Sequence, residues 1–180
     1  MDNIVAEVIS LPDLYGVDHM NDYMASLFED PAKESIIKIG FITKAMDALA
    51  TIPKSQLPQH GKDPNGNDYF VGFHLKLDPI DGVEYELRPK AIKALGQQPI
   101  YELRLSVEFL KWHFRATFFP KYHPMTGQFF YCLVHPFEKE GREEGIADPT
   151  NHYMQETYDV FDHLKRHFDH YSKYFDDPDQ

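Results

Sequence analysis

The sequence holds one cysteine, Cys132. An intrachain disulfide and a cysteine-built zinc cluster are therefore excluded, and a reducing, cytoplasmic setting is the expectation. Cations are also scarce: 18 Lys and Arg face 29 Asp and Glu, for a formal net charge of -11. Taken over the whole molecule, that surplus repels nucleic acid and acidic lipid, which excludes a general nucleic-acid coat. No apolar run approaches the roughly 20 residues that span a bilayer, and Met1 to Leu11 carries Asp2 and Glu7 where a signal peptide would be basic. Neither export nor a membrane partner is expected. Internal repeats and low-complexity tracts are lacking too. What is there is a chain of 180 residues, 42% hydrophobic and 14% aromatic, enough apolar mass for one globular domain spanning 1–180.

The charge is unevenly placed. Between Tyr85 and Arg142 stand nine cations and five carboxylates, a local surplus of four that leaves -15 for the remainder. An acidic body thus surrounds a basic middle.

Apolar periodicity places the elements. Ile4 to Leu11 predicts a strand. Asp18 is a good cap for a helix carrying Met20, Tyr23, Met24 and Leu27, and Asp30 with Pro31 reads as the N-cap and first residue of a second. In that second helix Ile39, Ile42, Met46 and Leu49 recur at three- and four-residue steps, a stripe that should lie on a sheet. Residues 59–67 are loop by composition, and alternation over 73–77 and 83–88 predicts a hairpin, so that 59–88 looks like an insertion. Pro89 to Leu95 reads as a short helical turn closed by Gly96. Ile100 to Val107 and Trp112 to Phe119 alternate cleanly and predict an antiparallel pair, while Gln128 to His135, apolar on both faces, reads as a central strand. Asp148 and Pro149 should open a long helix to about Tyr174, ahead of a disordered acidic tail. The class is α+β: a helical hairpin at the N-terminus and a C-terminal helix packed on a mainly antiparallel sheet.

The polar sides of these strands offer Arg104 and Arg115, followed by His135, Lys139 and Arg142. Guanidinium groups stabilise the charge that builds on a pentavalent phosphate, and an imidazole moves the proton, so the set suits phosphodiester chemistry. Alternate arginines on a half-exposed strand fit a solvated face equally well. His163, His167 and His170 share one helical face, where a divalent metal could sit with Asp159 or Asp162, but a polar helix face accounts for them without one. No metal or other cofactor is expected. Trp112, Phe118, Phe119, Phe129 and Phe130 read as core rather than as a base-stacking platform, and Cys132 as inert.

Several motifs come in a telling order. Lys93-Ala94-Leu95 precedes Ile100-Tyr101-Glu102-Leu103-Arg104, then Phe114-Arg115, then Leu133-Val134-His135-Pro136-Phe137-Glu138-Lys139, then Asp148-Pro149 opening the terminal helix. Together with the helical pair around Asp22 to Leu49, this succession resembles the RelE/ParE superfamily of toxins, in particular its phage-derived HigB-like branch, over roughly residues 18–172 apart from the insertion. The resemblance implies the toxin of a type II toxin-antitoxin system: an mRNA interferase, an endoribonuclease often acting on the ribosome, held inactive by an antitoxin protein. It implies that Arg104, Arg115 and Lys139 act on the scissile phosphate; beside them His135 reads as the catalytic proton carrier, and Lys90, Lys93, Lys111 and Arg142 as the cations that contact RNA.

Three departures point to a second function class. Glu140 stands where the family has a second lysine, Glu102 puts a negative charge beside Arg104, and the chain as a whole is acidic. These favour a catalytically weak or inactive toxin-fold module that binds a protein. Geometry separates the two. Catalysis requires Arg104, Arg115 and Lys139 to converge on one exposed concave face, with the second helix and the C-terminal helix covering the other. Arginines buried in ion pairs with Glu102 and Glu108 favour the binding module.

Overall fold

The computed structural model describes residues 3–139 and 148–176. The expectations for Glu140, Arg142 and the last four residues of the tail lie outside them. In chain order the elements are β1 (Glu7–Ser10), α1 (His19–Glu29), α2 (Lys33–Leu49), β2 (Phe70–Gly72), β3 (Leu75–Lys76), β4 (Glu86–Leu87), β5 (Lys90–Ala94), β6 (Tyr101–Val107), β7 (Trp112–Tyr122), β8 (Phe129–Glu138) and α3 (Thr150–Arg166). Six strands form one sheet in the order β1-β8-β7-β6-β5-β2, and β3 pairs with β4 separately. Only the β1–β8 pair is parallel, so the sheet is mixed but mainly antiparallel and the class is α+β. Among the described residues no helix is long and apolar enough to cross a membrane.

Local chemistry explains the helix starts. The Asp18 carboxylate accepts the Asn21 amide at 3.0 Å and caps α1, while its other oxygen accepts the Ser10 hydroxyl at the end of β1. Asp18→Ala removes both bonds and should cost about 1–2 kcal/mol in urea denaturation, with a loss below roughly 0.5 kcal/mol denying the cap its role. Asp30 does not cap α2 directly, because the helix begins at Lys33 rather than Pro31. It still collects the Ala32 amide and the Ser35 hydroxyl, one step ahead of the first turn. Asp148 likewise does not cap α3, which begins at Thr150 rather than Pro149, but it accepts from the Thr150 amide and hydroxyl one residue ahead of the helix cap.

Two cores sandwich the sheet. On one side Ile37, Phe41, Ile42, Ala45 and Leu49 of α2, with Met20 and Leu27 of α1, meet Leu103, Leu105, Phe114, Ala116, Phe118 and Tyr131. The α2 stripe is thus shifted from the expected set, with Ile39 and Met46 at its margin. On the other side Val160 and Leu164 of α3 meet Phe119, Phe130, Cys132 and Val134. The expectation that α2 and α3 share a face is therefore overturned. Residues 130–134 are apolar on both faces, and each face needs its own cover. Helix α3 also ends at Arg166, after which two 3₁₀ turns lay Tyr171 and Phe175 on this second core.

Two further corrections concern strands. Pro89 to Leu95 is no helical turn: Lys90–Ala94 is β5, its Ile92 opposite Leu103. Burial of Ala91 and Ile92 against neighbouring strands outweighs the weak helical preference of an Ala/Lys-rich segment. Strand β8 runs on to Glu138, through Pro136. A proline is tolerated there because β1 accompanies β8 only as far as Leu133, so the missing N–H lies beyond the parallel pairing.

Candidate functional site

Alternation on β6 and β7 sends Glu102, Arg104, Ser106, His113, Arg115 and Thr117 to the side of the sheet that carries α3. Register places Arg104 directly opposite Arg115, Glu102 opposite Thr117, and Thr117 opposite His135. The two arginines do share a face, but they also share a counter-ion. Glu102 Oε1 lies 3.4 Å from the Nε of each. Arg115 is 6% exposed and Glu102 4%. Arg115 spends its Nη1 on the backbone carbonyls of Phe114 and Leu105. Its Nε, though within ion-pair range of Glu102, makes no directed hydrogen bond, and neither does Glu102 Oε2. Burial pushes the Glu102 carboxyl up, against the pull of Arg115, Arg104, Lys93 and Lys139. Burial and then the Arg104 charge push the Arg115 guanidinium down. Chemically this is a closed neutralising unit. Arg104 alone keeps a partly exposed flank.

The other expected catalytic groups are also engaged. Lys139 Nζ is 3.1 Å from Asp148 Oδ2, whose carboxyl is held down at about 2 by the Thr150 hydroxyl and amide together with Lys139. His135 is 3% exposed and lies under α3, with Nε2 2.5 Å from Glu156 Oε2 and its ring stacked on His19 at 4.3 Å. Burial, then the neighbouring His19, pushes its pKa down, and Glu156 and Asp13 oppose this.

The expected RNA-contacting cations divide. Lys93 is tied to Asp68 at 3.0 Å. Lys111 stands exposed at the β6–β7 turn in the left-handed region, φ 49°. Lys90 does meet Arg104. Both lie over the Phe70 ring, 4.9 and 5.7 Å from its centroid, and line an open groove of about 400 Å³ with Arg88, Pro89 and Ser106. Compared with known proteins, the chain matches no family model, no curated protein and no solved structure.

A second surface lies at the opposite edge of the sheet. Among the described residues β1 has β8 on one side and no strand on the other. Beside it run two open grooves, one of about 580 Å³ lined by Ile4, Val5, Val8, Met46 and Phe129, the other of about 360 Å³ lined by Val8, Met20, Met24 and Met46. Val8, Met46 and Asp47 border both, so the grooves adjoin. Ile4 and Val5, both exposed, add uncovered apolar surface along the first of these grooves.

Sequence patterning misses Phe70 and Arg88 as groove residues, since both sit in the segment read as an insertion. It also misses Asp13, His19 and Glu156 around His135, because they come from three separate stretches with no shared spacing. The aromatic cluster and Cys132 are buried as expected, and burial pushes the Cys132 thiol well up.

Proposed function

We propose that this protein is a protein-binding module of toxin-type architecture that takes an extended segment of a partner protein, an antitoxin in the first place, on the open edge of β1. The observation that carries this reading is the outer edge of Glu7–Ser10, which no strand of the described residues pairs, lying beside two adjoining, methionine-bearing apolar grooves. An added strand would hydrogen-bond to the free backbone edge, and its alternate side chains would fill the groove. Methionines adapt their shape to such guests. The order β1, α1, α2, then the antiparallel strands β6 to β8 ahead of α3, is compatible with the RelE/ParE-like arrangement that the motifs imply. Burial of Arg115, Glu102 and His135 speaks against the nuclease step, because a scissile phosphate cannot touch side chains that solvent barely reaches.

A second reading rests on the Phe70 groove. Lys90, Arg88 and Arg104 around an aromatic ring suit a phosphate chain with a stacked base, so single-stranded RNA is its ligand.

Two measurements decide. In a translation mixture the purified protein should leave mRNA intact even at high concentration, and cleavage that Arg104→Ala abolishes would restore the interferase. Val8→Asp and Met46→Asp should each weaken binding of the neighbouring reading frame's product by about tenfold or more with the fold retained, as loss of a central contact does. Unchanged affinity in both variants sinks the docking reading, and if Arg88→Glu with Lys90→Glu instead abolishes binding of an oligonucleotide, RNA takes its place.

A further inference from the structure

We propose that Asp13, His19 and His135, together with Glu156, form a binding site for a divalent transition-metal ion, zinc in the first place. The four residues come from the loop after β1, the first position of α1, the inner part of β8 and the middle of α3. Donor atoms of Asp13, His19 and His135 all lie within 4.8 Å of one another. His19 Nε2 is 2.7 Å from Asp13 Oδ2, and His135 Nε2 is 2.5 Å from Glu156 Oε2. Donors on one tetrahedral zinc, each about 2.0–2.1 Å from the ion, stand about 3.3 Å apart. Both pairs therefore need to open by less than an ångström, while the stacked His19 and His135 rings turn their Nε2 atoms toward a common point and Glu156, outside the three-residue group, swings toward Asp13 and His19.

A second observation points to a ligand. His135 Nε2 is buried and has no hydrogen-bond partner, even though the Glu156 oxygen is so near. The carboxylate approaches outside hydrogen-bonding geometry, so proximity does not satisfy the nitrogen. A buried ring nitrogen in that state costs free energy. A cation between imidazole and carboxylate would satisfy both. The Asp13–His19 hydrogen bond explains those two side chains by themselves but leaves His135 unexplained.

The surroundings hold the donors in place. Asp13 Oδ1 accepts the Tyr15 and Val17 amides at 2.9 and 3.1 Å, which fixes the carboxylate and leaves Oδ2 for the site. Glu156 Oε1 lies 2.9 Å from His152 Nε2, a contact one helical turn away that leaves Oε2 facing His135. Such outer contacts set ligand direction. Two imidazoles with carboxylates select zinc and its transition-metal neighbours over magnesium or calcium, which prefer oxygen alone. An open cavity of about 210 Å³, bordered by Asp13, Leu14, Tyr15, Glu156 and Asp159, gives an ion access from solvent. Bound there, the ion would tie α3 to α1 and β8. The cluster of His167, Asp169 and His170 is fully exposed and holds no buried unpaired nitrogen, so it serves as the internal comparison.

The test titrates chelator-treated full-length protein with Zn²⁺ by calorimetry and with Co²⁺ by visible absorption. A single saturable equivalent is expected, with Co²⁺ giving the bands of a nitrogen- and oxygen-ligated ion and Zn²⁺ at about 100 Kd raising Tm by several degrees. His19→Gln and His135→Gln should each lower affinity by about tenfold or more, while His167→Gln with His170→Gln should leave it unchanged. Half-exposed His19 is the safer variant should His135→Gln fail to fold. No saturable binding by the folded chain overturns the proposal. So does binding that survives His19→Gln and disappears with the His167/His170 pair. Neither result bears on docking at β1, so the two proposals stand or fall separately.

Discussion

Arg115→Ala should cost the fold about 3–5 kcal/mol, because it strips the counter-charge from a carboxylate that cannot reach water. Glu102 is 4% exposed and its charge is balanced within the sheet by Arg115 and Arg104, both 3.4 Å away. The loss should depend on pH with a definite sign. Burial already raises the folded-state pKa of Glu102 above its ordinary value, and removal of Arg115 raises it further. A carboxyl whose folded pKa lies above its unfolded one contributes stability below the unfolded pKa and loses it as pH rises through the folded value. The deficit of Arg115→Ala should therefore be smaller at about pH 5 than at about pH 8, and Glu102→Gln in the same chain should recover part of it by removing the uncompensated charge. Urea denaturation at the two pH values reads both effects. A deficit below about 1 kcal/mol, or one independent of pH, would mean that water reaches Glu102 after all.

Phe119→Ala should cost a similar amount, about 3–5 kcal/mol, and damage one half of the molecule selectively. Phe119 is fully buried in the core beneath α3, with its ring 5.3 Å from that of Phe161. The cavity it leaves opens under α3 and away from α1 and α2, whose side of the sheet presents Phe118 instead. Hydrogen exchange should accordingly show protection lost first in Thr150–Arg166, with Lys33–Leu49 exchanging nearly as before. Exchange that accelerates equally in α2 and α3 would mean that the two helices share one core.

The reach of the sequence is seen best at β6 and β7. Period-two alternation makes the shared face of Arg104 and Arg115 legible, because successive side chains of a strand must point to opposite sides. Alternation says nothing about what stands above that face. In the folded chain Arg115 and Glu102 are buried together and Arg104 keeps only a partly exposed flank, so the set is an ion-pair unit instead of an exposed phosphate clamp. Lys93 and Lys139 show the same limit: each is a cation by composition, and each is neutralised by a carboxylate distant or separate in sequence, Asp68 or Asp148.

By itself, the sequence determined the α+β class, the Asp18-capped start of α1, the β6–β7 pairing and the burial of the aromatic cluster. These follow from periodicity and capping chemistry, which act over a few residues. Tertiary structure alone decided that Arg115 and Glu102 are buried together, that Lys90–Ala94 is a strand, that Phe70 and Arg88 join Lys90 and Arg104 in a groove, and that Asp13, His19, His135 and Glu156 meet. Each of these depends on which apolar surfaces bury one another across long stretches of chain. Local patterning shows that a face must be covered and leaves the choice of cover to the packing of the whole.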